Sequence, residues 1–130
     1  MTVEYPTDLQ YLDTHEYVRI EDDVATVGIT AFAIEQLGDI VFLELAEIDD
    51  EVEAEESFGN IESVKAVEEL KSPVAGVVID RNAALIDAPE AIADDPHNDG
   101  WLIKVRLSDP TAELNNVMSA ADYTAQVEGG

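Results

Sequence analysis

Short runs of alternating or continuous apolar residues, separated by acidic turns, recur along the chain and predict a protein built mainly from strands. Tyr17–Ile20 and Val24–Thr30 flank the turn Glu21-Asp22-Asp23 and predict a hairpin. Asp39–Leu45 is apolar at the positions of both faces, which is typical of a central strand in a sandwich. A charged turn follows it, and Val52–Glu56 is predicted to begin the next strand.

The stretch Phe58–Leu70 holds two strand-like segments that flank a tight reversal near Val64-Lys65-Ala66, with no long loop between them. It predicts a hairpin with Lys65 at its tip. Ser72-Pro73 then interrupts the chain. Val74–Asp80 predicts a buried strand, in which Gly76 marks a bulge or a close approach of two backbones.

Two segments between the strands predict short helices. Thr30–Gly38 predicts a short helix or turn that ends at Gly38, and Pro89–Ala93 predicts one helical turn with proline near its start. Trp101–Leu107 alternates strictly and predicts a half-buried strand, with Trp101, Ile103, Val105 and Leu107 on one face.

The pattern changes after Asp109-Pro110. Ala112–Met118 and Ser119–Val127 predict a helical end, and Ser119 followed by Asp122 resembles a capping arrangement. Many short strands closed by a small helical tail indicate a mainly β sandwich or flattened barrel. We expect one domain over residues 1–130, with its core at about 17–107 and the helical segment at about 110–127.

Composition adds a strong charge imbalance, because 30 acidic and 6 basic residues give a formal net charge of −24 at pH 7. This charge repels phosphate backbones and anionic lipid headgroups, so nucleic-acid and membrane-surface partners are excluded. It is also expected where concentrated salt screens repulsion, since the Debye length falls to ~3 Å at 1 M, and it predicts a halophilic source. An ordinary acidic cytosolic protein is the alternative, whereas a disordered acidic chain conflicts with the regular apolar alternation.

Cysteine usage and the start of the sequence bear on location. No cysteine is present, which excludes disulfides, thiolate nucleophiles and cysteine-ligated metal sites. The segment MTVEYPTDLQ lacks the basic and apolar regions of a signal peptide, and no apolar run approaches the ~18 residues of a membrane span. We therefore expect a cytoplasmic protein.

Motifs for catalysis and metal binding are absent from the sequence. There is no Gly-x-Ser-x-Gly elbow and no phosphate-binding glycine loop. Asp94–Gly100 begins like a calcium loop, but the position of its bidentate glutamate falls on Arg106, so a solvated acidic turn containing His97 is predicted. His15 beside Glu16 is predicted to be a surface pair, with a partner-facing site as the alternative. We expect no catalytic residue and no metal site.

Lys65 is the candidate for function. The chain has only three lysines, at positions 65, 71 and 104, and small or β-branched residues surround the first of them. The predicted hairpin leaves its amine in solvent, free to be acylated. Solubility is the alternative for a lone exposed lysine, and spacing alone leaves both readings open.

The sequence resembles the glycine cleavage system H protein family from about Tyr11 to Tyr123. The resemblance rests on several collinear segments: YLDTHEYVRI, VATVGIT, QLGDIVFLEL, FG, ESVKAV, SPVAGV, GWLIK and LSDP. In that family the lysine of Glu-Ser-Val-Lys-Ala carries covalent, amide-linked lipoate, which the resemblance assigns to Lys65. The implied fold is a barrel-sandwich hybrid with short flanking helices and a helical C-terminus.

The resemblance implies a lipoyl carrier and not an enzyme. The carrier shuttles the aminomethyl group of glycine from a pyridoxal-phosphate (PLP) glycine decarboxylase to an aminomethyltransferase that uses tetrahydrofolate. A dihydrolipoyl dehydrogenase with FAD and NAD then reoxidises it, and a lipoate-attaching enzyme supplies the group. The alternative is an H-like lipoate relay or a binding module without glycine-cleavage flux.

Further site residues follow from the resemblance. The surface read by the lipoate-attaching enzyme is predicted to consist of residues beside the lysine and one opposite it in the fold: Glu62, Ser63, Val64, Ala66 and Gly76. Glu16 and Glu69 are predicted to hold the amine of the loaded arm through charge-assisted hydrogen bonds.

Three departures from the family pattern lie away from the lysine hairpin. The family usually has Trp where Tyr17 stands, Gly near Glu55, and Pro-Tyr-Gly or similar where Pro96-His97-Asn98 occurs. Other classes fit less well. Biotin carriers flank their lysine with methionines, lipoyl domains of 2-oxoacid dehydrogenases read Asp-Lys-Ala, and a terminal Gly129-Gly130 is a weak signal for a ubiquitin-like modifier.

Overall fold

The computed structural model describes residues 5–109 and 117–129. Its strands are β1 (Gln10–Leu12), β2 (Glu16–Glu21), β3 (Val24–Ile29), β4 (Ile40–Leu45), β5 (Glu51–Val52), β6 (Ser57–Ser63), β7 (Val67–Lys71), β8 (Gly76–Arg81), β9 (Ile103–Leu107) and β10 (Val117–Met118). Its helices are α1 (Ala31–Leu37), α2 (Ala83–Asp87), a 3₁₀ helix (Pro89–Ala93) and α3 (Ala120–Gly129).

The strands form two antiparallel sheets. One has the order β10-β1-β2-β3-β9-β8-β5, and the other has the order β4-β6-β7. Residues from both sheets share one apolar core, which includes Val27, Leu43, Ile61, Val78 and Ile103. This mainly β architecture with short helices and a C-terminal helix confirms the predicted fold class.

Local patterns predicted several elements correctly. The hairpin around the acidic turn is β2–β3, and the lysine hairpin is β6–β7. The alternation after Trp101 forms β9, although the strand itself begins at Ile103. Gly76 allows a close backbone approach, as predicted, because a Cβ there would overlap the carbonyl oxygen of Arg106 on β9.

Three predictions about strands and helices were wrong. Asp39–Leu45 is not a central strand, since β4 lies at the edge of the smaller sheet. β5 ends at Val52, and the acidic residues after it form a turn instead of the predicted strand. Val117–Met118 is a strand paired with β1 instead of part of a helix, while residues 112–116 of that prediction lie outside the described residues.

The predicted short helix is α1, and both its ends have local causes. The Thr30 hydroxyl accepts a hydrogen bond from the Ala33 N–H at 3.3 Å and caps the first turn. Gly38 ends the helix with φ +83°, a left-handed conformation that favours glycine, and its N–H donates to the Ile34 carbonyl. α1 therefore ends directly before β4.

A second cluster, rich in aromatic residues, packs α3 against β1 and β2. The rings of Tyr11 and Tyr123 stack with centroids 4.8 Å apart, and Tyr17 is fully buried beside them. Ser119 Oγ accepts from the Asp122 N–H, which confirms the predicted cap of α3. This cluster attaches the C-terminal helix to the larger sheet.

Two of the departures from the family pattern meet in space. The Tyr17 hydroxyl donates to the Pro96 carbonyl at 2.7 Å, and its ring contacts the His97 ring edge-on. The third departure, Glu55, has φ +71°, a backbone region in which glycine is favoured. Tyr17 therefore packs directly against the loop that contains the second departure.

The prediction that His97 lies in a solvated turn was wrong. His97 is buried, and its Nε2 accepts a hydrogen bond from the Ala31 N–H at 3.2 Å, at the first residue of α1. Burial lowers the pKa of this imidazole. The neutral ring thus serves as an acceptor at the start of the helix.

Among the described residues, no helix is long and apolar enough to cross a bilayer.

Candidate functional site

The tip of the lysine hairpin is the turn Val64-Lys65-Ala66 between β6 and β7, and the side chain of Ser63 holds it. The Ser63 hydroxyl oxygen accepts from the Lys65 N–H and the Ala66 N–H, each at 3.1 Å. The Ser63 N–H donates to the Ala66 carbonyl at 2.8 Å, which closes the turn. None of the three tip residues has a positive φ, so the turn does not need glycine and is stabilised by the hydrogen bonds of Ser63 instead.

The tip is also anchored to the end of α1. The Val64 N–H donates to the Asp39 carbonyl at 3.0 Å, so the turn is tied to the α1–β4 junction. The Lys65 side chain extends over Gly38, because a Cβ on that glycine would lie 3.4 Å from Lys65 Cε. An exposed amine therefore stands on a turn that is fixed at two points.

The three lysines differ in what occupies their ammonium groups. Lys71 Nζ lies 2.8 Å from a carboxylate oxygen of Glu69, and Lys104 Nζ lies 5.0 Å from the centre of the Trp101 ring. No described carboxylate lies within ion-pair distance of Lys65. The amine of Lys65 is thus the least engaged of the three.

A cleft of about 660 Å³ opens beside the hairpin, between α1, the start of β2 and β7. Its apolar lining is formed by seven residues: Ile29, Phe32, Ala33, Leu37, Ile61, Val67 and Leu70. Its polar lining includes four carboxylate residues: Asp13, Glu16, Glu68 and Glu69. The volume and mixed lining are typical of a site for a small organic group.

Glu16 is the only carboxylate buried in the described part of the chain, with 2% of its surface exposed. It accepts hydrogen bonds from the Thr14 hydroxyl and, at 2.8 Å, from the Lys71 N–H. Desolvation dominates these bonds and raises the pKa of the Glu16 carboxyl. A cation that entered the cleft would stabilise the ionised form of this group.

Two neighbouring glutamates on β7, Glu68 and Glu69, both line the cleft but have different surroundings. Glu69 is exposed, and its carboxylate pairs with Lys71, whose ammonium lowers the pKa of Glu69. Glu68 is paired across the sheet with the buried Ile61, so it shares the face that lines the cleft. Sequence reasoning missed Glu68, although alternation from the buried Leu70 identifies it.

The predicted recognition residues fall into two groups. Glu62 and Val64 are exposed beside Lys65, Ala66 is exposed after it, and Ser63 is buried under the turn. Gly76 is instead buried in the larger sheet, where it pairs with Val52 on one side and Leu107 on the other. It does not belong to the exposed surface around the hairpin.

The prediction that His15 and Glu16 form a surface pair was wrong. His15 has φ +80°, and its Nδ1 lies 2.7 Å from the Tyr123 hydroxyl, which also lies 2.7 Å from Thr30 Oγ1. Burial lowers the pKa of His15. This hydrogen-bonded chain joins α3 to the N-terminal cap of α1, and thereby supports one wall of the cleft.

In residues 5–109 and 117–129, no group of three or more His, Asp or Glu side chains is arranged to hold a metal ion. The predicted modifier terminus at Gly130 lies outside the described residues, and Gly129 is the last residue of α3.

Comparison with known proteins places this geometry in context. Residues 9–129 match the family model described as Glycine cleavage H-protein. The chain is 61% identical over 129 residues to the glycine cleavage system H protein of Gloeothece citriformis, covering 99% of this chain and 98% of the relative. It is 60% identical to that of Acaryochloris marina, covering 99% and 100%.

A solved structure is similar as well. The crystal structure of a glycine cleavage system H protein from Mycobacterium marinum superposes with a TM-score of 0.87 at 36% identity. The match covers 97% of this chain and 100% of that one.

Proposed function

The chain belongs to the glycine cleavage H-protein family, and from that premise we propose that Lys65 is the residue that carries its lipoyl group. The observation that carries this proposal is the exposed, unpaired Lys65 amine on a turn anchored by Ser63 and Asp39. Lys71 and Lys104 lack such a turn, and their ammonium groups are already engaged.

As a member of this family, the protein is the lipoyl carrier of the glycine cleavage system and is not itself an enzyme. Its partners are the glycine decarboxylase, the aminomethyltransferase, the dihydrolipoyl dehydrogenase and a lipoate-attaching enzyme. The carrier supplies position and reach, because tethering raises the effective concentration of the reactive group at each partner's active site.

The residues around Lys65 fit a covalent lipoyl group. When bound, that group supplies a disulfide that can be reduced and can hold a one-carbon amine, which no side chain of this cysteine-free protein provides. The apolar wall of the cleft suits a dithiolane and an alkyl chain, and the buried Glu16 suits a cationic load. The Lys65 side chain lies over Gly38, which directly follows α1. Leu37, the last residue of this helix, lines the cleft.

Attachment needs only the amine of Lys65 in its neutral form. This nitrogen attacks the activated carboxyl carbon, forms an amide bond and loses one proton, while the activating group leaves with the electron pair of the broken bond. The turn held by Ser63 leaves the Lys65 side chain exposed, with its nitrogen over Gly38. Amide formation removes one positive charge from a chain that has only 6 basic residues.

The direct test is peptide mass spectrometry of the protein from its native source. We expect the mass of a lipoyl amide on Lys65 and on neither Lys71 nor Lys104. Biotin at Lys65, or lipoate on another lysine, would contradict the assignment of the attachment site.

We also propose that Glu16 and Glu69 hold the amine of the loaded arm, with Glu16 contributing more. Glu16 is buried, with a pKa raised by desolvation, so a cation would relieve the cost of burying its charge. Glu69 is exposed and already paired with Lys71. Water therefore screens its charge, and the amine of the load would compete with the Lys71 ammonium for its carboxylate.

Glu16→Gln is expected to speed loss of the load from the isolated carrier about tenfold or more, because a hydrogen bond to a charged group contributes ~1.5–3 kcal/mol. Glu69→Gln should have a smaller effect. The rate is followed by the mass of the loaded protein, without partner enzymes. Glu35→Gln is the control, since Glu35 is an exposed residue of α1 that does not line the cleft. Equal rates for all variants would reject this role.

We further propose that the acidic surface is adapted to concentrated salt. The described residues contain two ion pairs, Arg19–Asp8 and Lys71–Glu69. With a net charge of −24, the acidic surface must be screened mainly by dissolved cations. We also propose a cytoplasmic location, because the carrier must work in the compartment that supplies its partner enzymes with PLP, tetrahydrofolate and NAD.

Raising potassium chloride from 0.1 M to 2 M should raise the Tm by roughly 5 °C or more, because screening removes repulsion worth ~1 kcal/mol or more. The measurement is thermal unfolding followed by circular dichroism. The double variant Glu53→Gln/Glu56→Gln, changed at two exposed acidic positions, should gain less from salt than the natural chain. The same Tm in 0.1 M and in 2 M potassium chloride would contradict the halophilic interpretation.

A further inference from the structure

The outer face of the smaller sheet carries an apolar row that no part of the described chain covers. Within residues 5–109 and 117–127, six large apolar side chains are exposed, and four of them, Val41, Phe42, Val64 and Val67, lie at the lysine end of this sheet. The other two, Ile20 and Ile48, are exposed singly on β2 and on the loop before β5. Clustered exposure of this kind marks an interaction surface more often than scattered exposure does.

The row is defined by strand register. Phe42 on β4 pairs with Glu62 on β6, and Glu62 pairs with Val67 on β7, so the three side chains share one face of the sheet. We call Phe42, Glu62 and Val67 the outer row. A bulge between Ile40 and Phe42 turns Val41 outward as well, which widens the apolar surface.

The row has a charge pattern that selects its partner. Glu62 is exposed between two apolar neighbours, and the described ion pairs do not include it. Glu44 and Glu69 lie on the same face in the next row, and they flank Asn60. A complementary surface therefore presents a basic side chain set among apolar ones.

We propose that the outer row is the docking surface by which the lipoate-attaching enzyme selects Lys65, which extends the proposed function and rests on it. That enzyme meets the protein before any arm is present, so a lysine amine alone cannot distinguish Lys65 from Lys71 or Lys104. The cleft, which we assign to the loaded arm, extends along the opposite face of the smaller sheet, beside the buried Ile61 and Leu70. Val67 and Glu69 on the edge strand β7 also line the cleft, whereas Phe42 and Glu62 do not. The outer row is the exposed feature that accompanies Lys65 alone.

The test is steady-state lipoylation of the purified, unmodified full-length chain by a lipoate ligase with ATP and lipoate. Phe42→Ser is expected to raise KM for the protein about tenfold or more and leave kcat within about twofold, because truncating a central aromatic contact weakens docking. Val67→Thr, which keeps the shape and removes apolar character, should raise KM less. Ile48→Ser is the control, since Ile48 is 52% exposed and Phe42 is 51% exposed.

Several outcomes separate this inference from the proposed function. If the natural chain is not lipoylated at Lys65, the proposed function fails and the inference fails with it. If Lys65 is lipoylated and KM is unchanged in Phe42→Ser and Val67→Thr, only the docking surface is overturned. A rise in KM only for the decarboxylase, aminomethyltransferase or dehydrogenase would assign the row to another partner and also overturn it. Phe42→Leu, which keeps an apolar side chain, should raise KM much less than Phe42→Ser does.

Discussion

Lys65→Arg is expected to abolish lipoylation of the protein and, with it, glycine-dependent formation of NADH by the reconstituted system. Arginine keeps the positive charge and length of the side chain, but its guanidinium stays protonated and cannot form the amide. The turn should be unaffected, because Ser63 holds it through the backbone N–H groups of positions 65 and 66. The measurements are the intact mass after incubation with a lipoate ligase and the rate of NADH formation.

Lys71→Arg and Lys104→Arg are the matched controls, and both should be lipoylated at the rate of the natural chain. Their ammonium groups serve the Glu69 pair and the Trp101 contact, which arginine can also make. Residual lipoylation of Lys65→Arg at another lysine would contradict the assignment. Lipoylation at Lys65 without any glycine-dependent NADH formation would favour the relay alternative.

Gly76→Ala is expected to lower the free energy of unfolding by about 3 kcal/mol or more, which corresponds to a fall in Tm of roughly 10 °C. The added Cβ would overlap the Arg106 carbonyl oxygen, and Gly76 is paired on both sides, with Val52 and Leu107. Relief requires β8 to move away from β9, which breaks the larger sheet. Thermal unfolding in 2 M potassium chloride measures the change.

The same variant tests whether Gly76 is read by the lipoate-attaching enzyme. If its effect acts through the fold, lipoylation at a temperature where the variant is fully folded should match that of the natural chain. A folded variant that is not lipoylated would instead support direct recognition. Ala75→Ser, at the half-buried position before Gly76, is the control and should change Tm by only a few degrees.

The lysine hairpin and α1 could be predicted because their causes are local. Two strand-like segments flank a reversal of three residues, and Ser63 precedes it, so its hydroxyl can accept from the N–H groups two and three positions later. Thr30 and Gly38 bracket α1 as a cap and a terminator. Local hydrogen bonds and backbone preferences are written in adjacent residues, so a single sequence reveals them.

The edge position of β4 could not be predicted in the same way. Its apolar residues on both faces indicated cover on both sides, yet Val41 and Phe42 are exposed. Apolarity shows that a side chain gains from leaving water, but it does not show whether this chain or a partner covers it. That difference is what points to the outer row as a docking surface.

The burial of charged and titratable groups was also beyond local patterns. Glu16 and His15 appeared to be a surface pair, and His97 appeared to be solvated. Glu16 instead bonds the Lys71 N–H, and His15 bonds Tyr123, which is 108 residues away in sequence. Such partners come from distant elements, so the sequence around each group carries no signal of them.

The sequence by itself determined the strand-rich class, the hairpin with Lys65 at its tip and the family, because these depend on adjacent residues and collinear motifs. Only the tertiary structure decided that Glu16 is the buried carboxylate of the cleft, that Gly76 acts inside a sheet, and that apolar side chains are exposed beside the lysine. These features depend on strand register and on which faces pack together, and packing joins residues that are far apart along the chain.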